Sequence, residues 1–147
     1  MQRVLDYLRS QPEYARMGLK VWGEGMREGL MALYLAAVDE RVADVVSSHG
    51  LVSYQNIVDA NGLPDFDYYV PGILKYADVA EFIGTIAPRR VVVNEPVDIN
   101  GKPLAMQEAR AAYQWAEAVY RVEGREGEFV IVVKEAATGA SKANPVR

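Results

Sequence analysis

The spacing of hydrophobic residues along this chain changes repeatedly, and each change marks an element. Val4, Leu5 and Leu8 share one face at helical spacing with Asp6 and Arg9 opposite, and Gln11-Pro12 closes this short amphipathic helix. After a connection over Glu13–Met17, Gly18–Trp22 reads as a short buried strand. Met26–Asp39 follows as a helix with Leu30, Leu33, Tyr34 and Ala37 as its apolar stripe. Val42–Ser48 is a second strand whose Val45-Val46 pair breaks simple alternation, a pattern of burial on both faces in a parallel sheet. Ser53–Ala60 predicts one or two helical turns, and N-G-L-P-D-F-D-Y-Y-V-P-G an ordered excursion rather than a flexible linker. Asp78 with Glu81 three positions on forms a capping box for a helix over Val79–Ile86, ended by Ala87-Pro88. Arg90–Asn94 is a third, valine-rich strand. Past the loop Glu95–Pro103 comes the longest helix, Leu104–Glu123, with Ala109, Ala112, Ala116 and Tyr120 on a small-residue face. Glu128–Lys134 is the fourth strand and Glu135–Arg147 a frayed tail. Strands separated by such helices imply right-handed parallel crossovers. The fold class is therefore α/β, a three-layer α/β/α arrangement around a four-stranded parallel sheet, with residues 1–134 as one domain.

Length and composition agree with a single core: the chain has 147 residues, half of them hydrophobic. A net charge of −4 and no cluster of Lys or Arg interleaved with aromatics argue against a nucleic-acid partner. The absence of cysteine removes disulfides, thiolate catalysis and sulfur-ligated metals and leaves the compartment open. The N-terminal M-Q-R-V-L-D-Y-L-R lacks the apolar core of a signal peptide, and no apolar run reaches the ~18 residues of a membrane span. The chain reads as soluble and untargeted. Asp65, Asp67 and Asp78 do not have the spacing of a calcium loop, and one histidine argues against zinc, so no metal is expected. G-E-G-M-R-E-G lacks the Gly-Lys-Ser/Thr of a phosphate loop, and Glu24 and Glu28 would repel phosphate. No cofactor is expected.

Several stretches in order carry a resemblance: V-W-G-E-G-M-R-E-G with A-A-V-D-E-R-V, then G-L-V-S-Y-Q-N-I-V, Y-V-P-G-I-L-K-Y-A-D, I-A-P-R-R-V-V-V-N and V-D-I-N-G-K-P. Over about Val4–Phe129 the chain resembles the second half of acetyl-xylan-esterase-like α/β-hydrolases. The resemblance implies that these four strands correspond to the last four of a hydrolase sheet and that the first four are missing. It also implies a nucleophile elbow at the turn between Trp22 and Met26, where the family carries G-x-S-x-G.

Position by position, the serine-hydrolase machinery is incomplete. The nucleophile position resembles Gly25, which has no side chain, and the glycines that follow in the family are Arg27 and Glu28 here. Gly25 then serves only to permit a positive φ in the turn. The oxyanion donor after the elbow corresponds to the N–H of Met26, and the second donor belongs to the missing half. The acid position resembles Asp98, which equally suits a turn with Asn100 and Gly101. No histidine follows Phe129 to act as base. The one histidine, His49, stands after the second strand at the edge where parallel sheets bind ligands. It either forms an unusual dyad with Ser47, Ser48 or Ser53, with Asp98 in reach, or lines a vestigial pocket. Tyr68, Tyr69 and Tyr76, with Phe66, either stack on a sugar ring or pin the excursion to the domain. A degenerate esterase-like domain acting as a packing or carbohydrate-binding module fits best. The alternatives are an ester hydrolase using nonstandard residues or completed by a partner chain, and an interaction scaffold. The apolar strand L-K-V-W, left without its family neighbour, further predicts a homo-oligomer or a partner domain that supplies the missing strands.

Overall fold

The structure, a computed structural model, describes residues 1–60 and 70–134. The expected tail lies outside the described residues, as does most of the excursion. The elements are α1 (Gln2–Ser10), β1 (Leu19–Glu24), α2 (Met26–Val38), β2 (Val42–Ser48), α3 (Tyr54–Asp59), α4 (Val79–Ile86), β3 (Arg90–Asn94), α5 (Met106–Ala112), α6 (Gln114–Val122) and β4 (Phe129–Val132). All four strands are parallel, in the order β1-β2-β3-β4, so β1 and β4 form the edges.

The α/β class and four parallel strands match the sequence reading. The helical layering is narrower. A sequential strand order steps every crossover the same way, so right-handed connections place each linking helix on one face. Side-chain alternation agrees: Val45, Val91, Val93 and Phe129 belong to a single apolar cluster with Leu30, Leu33, Ile83 and Tyr120 of the helices. The opposite face carries Lys20, Trp22 and Glu24 beside Asp44 and Val46, then Val92, then Val130, and none of these joins that cluster. The described helices therefore do not form the second helical layer expected from the sequence.

Several local devices hold the helical layer. Asp78 makes the expected capping box with Glu81 on α4. Its carboxylate also accepts from the Tyr54 and Gln55 N–H groups at 2.6 and 3.1 Å, so one side chain caps α3 and α4 together. Arg89 donates to the carbonyls of Ala36, Asp39 and Val42, closing the C-terminal end of α2. The Tyr120 hydroxyl returns a 2.6 Å bond to the Arg89 carbonyl.

The long helix expected over Leu104–Glu123 is two helices that meet at Tyr113, where φ is −100° and ψ 13°. Tyr113 is buried with its ring edge-on to Phe129 of β4, and packing that ring into the core sets the bend. Gly84 lets α6 approach α4: a Cβ there would stand 2.1 Å from the Trp115 ring.

Candidate functional site

The turn joining β1 to α2 is a sharp elbow. Gly25 has φ 98° and ψ 170°, a conformation open in practice only to glycine, and its N–H donates to the Ser48 carbonyl at 2.8 Å. Gly23 and Gly29 are required by close approach. A Cβ on Gly23 would fall 2.0 Å from the Glu28 carbonyl oxygen, and one on Gly29 would fall 2.5 Å from Ser47 Oγ. The elbow is thus packed tightly on both strands, with no nucleophilic side chain at its tip.

The first turn of α2 has no side-chain cap. Met26 opens it with a half-buried side chain packed against the core. Glu28 stands in the same turn, paired with Arg27 at 2.7 Å, and that hydrogen bond holds its carboxyl below the ordinary carboxylate range. A Cβ at Gly25 would be 3.3 Å from Glu28 Oε2. The place where an esterase needs positive potential for an oxyanion has an ionised carboxylate beside it.

His49 lies one residue beyond β2. Because its φ is 52°, the strand alternation breaks, and the ring comes within 3.3 Å of Ser48 Oγ, a contact that regular strand geometry would forbid. Its Nδ1 is 2.6 Å from Glu24 Oε1 and its Nε2 3.2 Å from Glu95 Oε2. The two ring nitrogens thus each face a carboxylate. The His49 hydrogen bond, with those of Ser48 and Trp22 behind it, holds the Glu24 carboxyl below its usual range. Lys134 reaches Glu95 at 3.0 Å, so the cluster ties together the C-terminal ends of all four strands.

Ser48 is a poor nucleophile here. It is 2% exposed, and its Oγ accepts from Asn94 Nδ2 at 3.0 Å. Ser47 is equally buried, and Ser53 is engaged as the α3 cap, accepting from the Asn56 N–H.

Asp98 belongs to a different place. Its Oδ1 accepts from the N–H groups of Asn100 and Lys102 at 2.8 and 2.9 Å, and its own N–H donates to the Lys102 carbonyl. It organises a turn beside Asn56 and Glu108, and His49 is not among its hydrogen-bond partners among the described residues. Tyr76 is 87% exposed after the short 3-10 turn Ile73–Lys75, while Tyr68, Tyr69 and Phe66 lie outside the described residues. An apolar cavity of about 350 Å³ opens between α3 and Val70–Lys75, lined by Ile57, Val58, Pro71 and Leu74. Among the described residues no group of three acidic or histidine side chains is placed to hold a metal ion, and no helix is long and apolar enough to cross a membrane. Glu24, Asn94, Glu95 and Lys134 were missed as site residues by sequence reasoning. Their signal is positional: each stands at or just beyond the C-terminal end of a parallel strand.

The backbone framework compares closely with a solved structure. The crystal structure of a "putative acetyl xylan esterase" from Bacteroides fragilis NCTC 9343 superposes with a TM-score of 0.65 over 90% of this chain, at 15% identity. The fold is hydrolase-like. A Bacillus subtilis (strain 168) protein named "Putative hydrolase YtaP" is 35% identical over 91 residues, 58% of this chain. The chain spans only 34% of the esterase and 29% of YtaP. No protein-family model matches it.

Proposed function

We propose that this chain is a catalytically degenerate esterase-like domain whose role is to pack against a partner rather than to turn over an ester. The observation that carries the reading is the elbow, where Gly25 presents no nucleophile and the neighbouring carboxylate of Glu28 disfavours an oxyanion. The histidine that such chemistry would recruit is engaged on both ring nitrogens by Glu24 and Glu95. A packing role draws support from Trp22, 64% exposed on the sheet face that no described helix covers.

The test is hydrolysis of nitrophenyl acetate and of acetylated xylo-oligosaccharides, compared with a protein-free control. The expected rate equals the control. Turnover that disappears in His49→Ala would replace this reading with an ester hydrolase using nonstandard residues. A glycan-binding role is the second reading, favoured by the exposed Tyr76 ring. Saturable binding of a xylo-oligosaccharide, lost in Tyr76→Ala, supports it, and a flat titration removes it.

A further inference from the structure

β1 is an edge strand, and its sequence is self-complementary about Trp22. The Gly25 N–H points toward β2, where it meets the Ser48 carbonyl. Peptide groups alternate sides along a strand, so those of Gly23 and Val21 point the same way. Those of Lys20, Trp22 and Glu24 then point outward, away from β2. Their side chains share the face that no described helix covers, and Trp22 is 64% exposed. The strand contains no proline and no charge pointing toward the covered face; its outer edge carries Lys20, which pairs with Asp44 at 3.0 Å, and a register irregularity lies between Leu19 and Lys20.

We propose that the partner of this domain is a second copy of the same chain, joined through antiparallel pairing of the two β1 strands across a two-fold axis at Trp22. A dyad there sets Trp22 opposite the partner's Trp22, Lys20 opposite the partner's Glu24, and Val21 opposite the partner's Gly23. The outward residues Lys20, Trp22 and Glu24 all fall in hydrogen-bonded pairs in this register, and each opposed charge meets its opposite. Of the registers that set outward residues opposite one another, the dyad at Trp22 is the one that opposes Lys20 to Glu24. Moving the dyad by one residue, to Val21 or Gly23, would oppose Lys20 to Trp22 or to Met26 and lose both ion pairs. The two indoles, on Cα atoms about 5.5 Å apart, cover each other on the open face. The result is one eight-stranded sheet with an isologous contact. This names the partner within the packing role proposed above.

Light scattering on the purified chain at micromolar concentration is expected to give the mass of two chains, twice 16.3 kDa. The chain has no cysteine, so single cysteines report the register. Trp22→Cys, which removes an exposed side chain and its 3.2 Å hydrogen bond to Glu24, is expected to form a disulfide-linked dimer on mild oxidation, because its Cα separation from its twin suits a disulfide. Lys20→Cys is expected to stay unlinked alone and to link when mixed with Glu24→Cys. A mass of one chain overturns the pairing, as does a dimer in which Lys20→Cys self-links as readily as Trp22→Cys. Neither result alters the hydrolysis assay, so failure of the pairing and failure of the catalytic reading are separately visible.

Discussion

Restoring a serine at the elbow tests the catalytic reading directly. In Gly25→Ser the new side chain inherits φ 98° and ψ 170°, a region that non-glycine residues occupy at a cost of about 1–3 kcal/mol. The steric part is smaller, because the nearest atom to the added Cβ is the flexible end of Glu28, at 3.3 Å. For a chain of this size the backbone cost corresponds to a drop in melting temperature of roughly 2–12 °C. Gly25→Ala should fall by a similar amount, because both variants share the backbone strain. No esterase activity should appear in Gly25→Ser. The serine has no base within the described site: His49 is held by Glu24 and Glu95, and Asp98 belongs to a separate turn. Calorimetry on the three proteins, with nitrophenyl acetate hydrolysis on each, decides the matter. A serine variant as stable as the parent, or one that turns over substrate above the control, would refute the reasoning.

Gly23→Ala should be far more damaging than Gly25→Ala, by at least ~3 kcal/mol, since its Cβ meets backbone atoms of Glu28 at 2.0 and 2.4 Å that have no room to yield; a soluble variant with unchanged urea midpoint would contradict this. Asp78→Ala removes the cap of α4 and two acceptor bonds to the first turn of α3, which keeps its Ser53 cap, and should cost about 1–2 kcal/mol, with Asp78→Asn recovering part of it in the same denaturation assay. Asp39 gives a pH dependence of known sign. The Arg41 guanidinium holds its carboxyl below the ordinary range, so the stabilisation is present above the unfolded carboxyl pKa of about 4 and is lost as pH falls through the lower folded value. The urea midpoint of the parent should therefore fall more steeply below about pH 4 than that of Arg41→Met, and parallel profiles would exclude the ion pair as the cause.

The elements were legible in the sequence because local signals specified them. β2, α4 and β3 have the boundaries expected from the Val42–Ser48 run, the Asp78 and Glu81 capping box with Ala87-Pro88, and the valines after Arg90. The positive φ of Gly25 followed from its place in a tight turn between strand and helix. The split at Tyr113 was not legible. An unbroken helical period runs through it, and the ring's edge-on contact with Phe129 of β4 joins residues that the local pattern does not connect. The one-sided helical layer also needed the topology, since Val45-Val46 reads as two buried faces in sequence. In the structure Val45 enters the helical core while Val46 is sheltered on the other face, between the neighbouring strands of Trp22 and Val92.

The candidate site divides in the same way. The sequence alone determined that the elbow has no serine and that no histidine stands between Phe129 and Arg147, because those are facts of composition and order. Which residues meet was decided by the tertiary structure. Glu24, His49, Glu95 and Lys134 are spread over 111 positions, and parallel pairing in register brings the strand ends that carry them to one edge. The left-handed backbone of His49 turns its ring into that cluster, a conformation that a histidine in S-S-H-G does not announce. Side-chain chemistry is written residue by residue, whereas its convergence depends on strand order and register, which arise from contacts distant in sequence.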